Sequence, residues 1–156
     1  MSLSTDEQQA LADAMRAEHA AEHAAVYAYG LVDAYAAPQR RTAVNEAASA
    51  HHARRDATTS LLRTNGVAPP AAEAGYVIPM PVTDPTTAVA LAAEIENETA
   101  VAWRSLLERS NPQPGGTAMG LRSTAVGSLT DCAVRGARWR VVLGQSPPTR
   151  AFPGQP

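Results

Sequence analysis

The sequence predicts an all-α protein built as a four-helix bundle, and three observations carry that expectation. Alanine dominates the apolar residues, four long segments open and close on helix-terminus signals, and no stretch alternates apolar and polar residues as a half-buried strand would. Alanine loses no side-chain entropy in a helix and buries no polar group, so an alanine-rich chain favours long helices. Hydrophobic residues make up 45% of the chain but aromatic ones only 4%, so the helices must pack closely around small side chains.

The first helix opens at Ser4, with Glu7 three residues later as a capping box, and is expected to reach about Ala37. Pro38 suits the first turn of a second helix, which should run to Asn65 and stop at Gly66. Asp84 followed by Pro85 opens a third helix that lasts to about Ser110, where Asn111 and Pro112 break it. A fourth should begin near Thr117, after Gln113 to Gly116, and reach Leu143 before Gly144. The tight connection at Pro38 makes helices one and two an antiparallel hairpin, and helices three and four make another.

Between the hairpins, Gly66 to Thr83 is rich in Pro and Ala and reads as extended chain. Extended chain covers about 3.3 Å per residue against about 1.5 Å for helix, so this segment is long enough to return along the whole bundle. Helices two and three would then lie parallel and diagonal, joined by one long crossover. Charge agrees with the pairing: helices one and three are acidic, helices two and four basic. Exposed ion pairs contribute only about 0–1 kcal/mol each, so the pattern selects partners more than it stabilises. Residues 1–144 are therefore read as one bundle, and residues 145–156 as an extended tail held by Phe152.

A formal charge of −2 leaves no electrostatic footprint for nucleic acid, and no apolar stretch approaches the length of a membrane span. All 13 basic residues are Arg. The single cysteine, Cys132, cannot form an internal disulfide, which points to a cytoplasmic chain, and its neighbours Leu129, Gly136 and Trp139 mark it as a small core residue.

The segment from Ala17 to Gly30, which contains Glu18, His19, Glu22, His23, Tyr27 and Tyr29, resembles the first helix of a ferritin-like family of actinobacterial proteins of unknown function, the DUF4439-like proteins. Ala50 to Asp56, Ala133 to Arg140 and Ala151 to Gly154 carry the same resemblance. It implies a ferritin-like bundle and brings no assigned activity.

Ferritin-like di-iron proteins hold their metals with one Glu from each of two helices and a Glu-x-x-His from each of the others. The four histidines here are His19, His23, His51 and His52, and the residues three positions earlier are Arg16, Ala20, Ala48 and Ser49, so the motif is absent. Glu22 and Glu98 lie near the middle of helices one and three, where the two single Glu ligands belong. At matching depth helix two offers His51 and Arg55, and helix four offers Asp131, Arg135 and Arg138. An inward Arg repels a dication and pairs with carboxylates itself, so the expectation is an interior polar network of Glu22, His51, Arg55, Glu98, Asp131 and Arg135 in place of iron or manganese. The competing set for a degenerate metal centre is Glu18, Glu22, His51, Glu94, Glu98 and Asp131. Glu18 and Glu22 also fit a solvated face, and His19 and His23 read as surface histidines whose spacing would suit a shared Zn²⁺. With large side chains scarce, Tyr35, Tyr76 and Trp103 are expected to cover a second subunit, which predicts a homodimer. The small-molecule ligand is not legible.

Overall fold

The computed structural model describes residues 3–110 and 118–156. Helix α1 spans Thr5–Tyr35, a 3₁₀ turn at Pro38–Arg40 leads into α2 at Arg41–Thr64, and α3 and α4 span Pro85–Arg109 and Ala118–Val142. No strand occurs among the described residues, and the architecture is an all-α four-helix bundle. None of these helices is long and apolar enough to cross a membrane. The expected break at Asn111–Pro112, the turn that follows and the start of α4 at Thr117 lie outside the described residues.

The start signals work as the sequence indicates. Ser4 caps α1 by accepting from the Glu7 N–H, while the Glu7 carboxylate accepts from the Ser4 N–H at 2.8 Å. Asp84 accepts from the Thr87 N–H at 2.8 Å, and Thr87 rather than a Glu completes the box by accepting from the Asp84 N–H at 3.1 Å. Each satisfies helix N–H groups that would otherwise lack partners.

Contacts fix the helix directions. Glu22 meets His51, while His19, earlier on α1, meets Thr58, later on α2, so these helices are antiparallel. Glu22 also meets Trp103 and Tyr29 meets Glu96, which sets α3 antiparallel to α1. Helices α2 and α3 therefore run in the same direction. The segment between them starts with Val67 against the cluster of Met15, Leu62, Trp103, Leu106 and Leu121. It ends with Ile78, Met80 and Val82 against the cluster of Val32, Val44, Val89 and Trp139. Those clusters sit at opposite ends of the bundle, and a buried polar layer lies between them.

Two aromatic expectations are corrected. Trp103 is fully buried in its own core and leaves nothing for a second subunit, because it falls on the stripe of Ala92, Ile95, Glu96, Thr99 and Leu106. Phe152 is 66% exposed and does not dock the tail. Gly154 does so instead: it is buried at a φ of 78°, and a Cβ there would come within 2.6 Å of the Ala100 carbonyl oxygen and 2.8 Å of Arg104 Cβ. The Arg140 side chain, bonded to the Pro148 carbonyl, and Arg104, bonded to that of Pro153, hold the tail against α3 and α4. A side chain at position 154 combines backbone strain with collision, so Gly154→Ala should cost about 1–3 kcal/mol and release the tail. Limited trypsin digestion at Arg150 should accelerate in the variant; an unchanged rate would remove Gly154 from the docking role.

Candidate functional site

The polar layer is assembled by all four helices. From α1 come Glu22 and, two turns on, Tyr29; from α2 comes His51; from α3 come Glu96 and Trp103; from α4 come Arg135 and Trp139. Each sits on its helix's inward stripe because it is spaced three, four or seven residues from alanines and large apolar residues that face the core.

His51 is the centre. Its Nδ1–H donates to Glu22 Oε2 at 2.7 Å and its Nε2–H to Glu96 Oε1 at 3.1 Å, with the imidazole and Glu96 side chain 0% exposed and that of Glu22 1%. Burial alone would lower the His51 pKa, but hydrogen bonds to the two carboxylates and their charges reverse this and raise it to about 9. The ring is thus an imidazolium at neutral pH. Glu96 Oε1 also accepts from the Tyr29 hydroxyl at 2.6 Å and from Arg135 Nε at 3.0 Å. Burial would raise Glu96, yet His51, Arg135 and Tyr29 hold it below the usual carboxylate range. Trp103 Nε1–H donates to Glu22 Oε1 at 2.8 Å, and Trp139 Nε1–H donates to the Tyr29 oxygen at 3.0 Å. Tyr29 stacks on His51 with ring centres 5.3 Å apart. Two anions face two cations, and a phenol and an indole donate to Glu96 Oε1 and Glu22 Oε1, which offsets much of the cost of burying the charges, while Glu96 Oε2 is buried without a partner.

One turn before Glu22, Glu18 is also buried, and burial followed by repulsion from Glu22 raises its pKa well above the ordinary value. Its Oε1 is buried without a hydrogen-bond partner. His19 is buried, not on the surface: its Nδ1 lies 3.0 Å from Thr58 Oγ1, whose own proton goes to the Arg55 carbonyl. The His19 Nδ1 therefore carries the proton, and its Nε2 faces His23 Nε2 at 3.1 Å. Burial lowers both rings' pKa values.

Of the six residues expected to form the network, Glu22, His51 and Arg135 meet. Glu98 does not. Two positions from Glu96, it is turned about 200° around the helix and exposed, and Glu96 takes its place. Counting back seven from Trp103 along the same stripe would have found Glu96. Arg55 is half-buried beside exposed Asp56, at 2.8 Å. Asp131 is exposed and bonds Arg54 at 2.7 Å outside the bundle, because it faces α2 at the surface rather than the interior. The competing metal set of Glu18, Glu22, His51, Glu94, Glu98 and Asp131 is likewise divided between interior and surface. Among the described residues, no three His, Cys, Asp or Glu side chains are grouped so that they could hold a metal ion. Cys132 is buried and burial raises its thiol pKa, as a core cysteine requires.

The bundle and its layer define a class of small helical proteins with a charged, self-paired centre. The chain belongs to the DUF4439 family, described as a domain of unknown function, whose profile matches residues 10–156. It is similar to a solved structure of a conserved hypothetical protein, Rv2844, from Mycobacterium tuberculosis: 38% identity over 94% of this chain and 99% of that one, with a TM-score of 0.82. No curated protein matches the chain.

The His51 shift makes stability depend on pH. A pKa raised from about 6.5 to about 9 stabilises fully below the lower value, and the contribution disappears as pH rises through the upper one. Urea unfolding should show a loss of about 2–3 kcal/mol between pH 6.5 and 9.5, and His51→Gln should flatten that limb. Parallel curves for the two proteins would contradict the assignment.

Proposed function

We propose that this is a ferritin-like bundle without a functional di-iron centre, acting in the cytoplasm through binding or homo-oligomeric assembly. One observation carries the reading: both ring nitrogens of His51 are spent on carboxylates, and Arg135 bonds Glu96 between them. A ligating imidazole must be neutral with one bare nitrogen, so a histidine lifted to about 9 is a poor ligand at neutral pH. The Arg135 cation beside the carboxylates opposes a dication further. The residues present do not fit iron or manganese.

Assembly as a homodimer draws support from the surface. Tyr27 and Tyr35 of α1 are 47% and 40% exposed, and Val77 of the crossover is 94% exposed. Tyr27 packs on Tyr76, which leaves apolar area that a second copy would cover. The net charge of −2 supports neither nucleic-acid nor anionic-membrane binding.

Protein purified from cells supplemented with iron and manganese should carry neither metal in stoichiometric amount. Two metals per subunit, with oxygen consumption on adding ferrous iron, would overturn the proposal in favour of a degenerate di-iron oxidase or metal-storage protein.

A further inference from the structure

A groove of about 700 Å³ opens between α3, α4 and the tail, a volume typical of small-molecule sites. Leu129, Val134, Ala137, Val141, Pro148 and Pro153 give it apolar walls. Val134 and Val141 are 45% and 62% exposed, so the groove holds apolar surface that the chain itself leaves uncovered. Glu96 adds no charge to this surface, because its side chain is wholly enclosed and paired with His51 and Arg135.

Three cations stand in the same lining: Arg138, Arg140 and Arg150. Among the described residues, none of them pairs with a carboxylate. Arg140 is the most deeply set, at 8% exposed, and its Nε donates to the Pro148 carbonyl. Its guanidinium lies over Gly136, where a Cβ would come within 3.2 Å of Nη1 and 3.5 Å of Nη2. Neither Nη has a hydrogen-bond partner, and neither is enclosed: among the described residues the enclosed, unpartnered side-chain atoms are Glu18 Oε1 and Glu96 Oε2. Burial, and after it the nearby Arg150 cation, lowers the Arg140 pKa, while Glu94 opposes this in part.

Charge and shape together select the ligand. The free edge of Arg140 presents N–H donors side by side, a fork that matches the two oxygens of one carboxylate. An anion there would also relieve the repulsion between Arg140 and Arg150, whereas an ammonium would add to it. A neutral alcohol would leave the cations unpaired. A symmetric contact with a second copy would bring the arginines of both copies into one interface, so a small anion suits the groove better.

We propose that the groove between α3, α4 and the C-terminal tail binds an aliphatic monocarboxylate, its head on Arg140 with Arg150 beside it and its chain along the apolar walls. This rests on the binding reading above and gives it a ligand class.

The test titrates the full chain with octanoate, acetate, 1-octanol and octylammonium by calorimetry at neutral pH. Octanoate should bind at one per chain, about tenfold more tightly than any of the other three. Arg140→Gln should weaken octanoate about tenfold and Arg150→Gln about threefold. Because Arg140 also holds the tail, Ala137→Trp gives an independent check: it fills the groove, leaves all three cations in place and should abolish octanoate binding. Binding of 1-octanol or acetate as tight as that of octanoate, or undiminished octanoate binding in folded Ala137→Trp, would overturn the assignment. A dimer in light scattering that Ala137→Trp dissociates would overturn it too, by giving the groove to a second copy. Metal content is measured on the same preparation. Stoichiometric iron there overturns the metal-free reading, whereas a metal-free sample that binds no octanoate overturns the groove assignment alone.

Discussion

A single imidazolium held between two buried carboxylates is the constraint on which the rest of this bundle depends. Removing charge from water carries a penalty of several kcal/mol per ion, recovered only when opposite charges and hydrogen bonds meet it in good geometry. His51 touches both anions at once and so ties α2 to α1 and α3 through one ring. Arg135 brings α4 to the same oxygen of Glu96. Losing any partner would leave an uncompensated charge in a dry interior, so the four helices share one register.

The layer also divides the core. On one side Met15, Leu62, Trp103, Leu106 and Leu121 pack together, and on the other Val32, Val44, Val89, Leu91, Ile95 and Trp139 do so. Each tryptophan belongs to an apolar cluster and sends its N–H into the polar layer, Trp103 to Glu22 and Trp139 to Tyr29. Indole suits this position, since its body is apolar and its single polar group is a donor. In an alanine-rich chain these rings supply bulk that the small residues cannot, and burying such a side chain contributes about 1.5–3 kcal/mol.

The helices were legible because their ends are chemical. Ser4 with Glu7, Asp84 with Pro85, and the glycines after α2 and α4 each act within a few residues, and local signals survive folding. The interior was legible only in part. Glu22, His51 and Arg135 stand near helix midpoints with apolar neighbours in phase, but depth alone does not fix rotation, and two positions on α3 exchanged Glu98 for Glu96. His19 read as a surface residue because its partner Thr58 lies 39 positions away on another helix. Phe152 drew the eye as the only Phe, while the tail is held by Gly154, whose value lies in lacking a side chain. No composition rule reveals an absence of that kind.

The centre of the bundle turns on the protonation of one ring, and nitrogen-15 NMR of the His51 imidazole reads it directly. At pH 7.5 both Nδ1 and Nε2 should carry protons that exchange slowly with water, and the ring should titrate near pH 9. A neutral His51 with one bare nitrogen, titrating near its ordinary value of about 6.5, would contradict it.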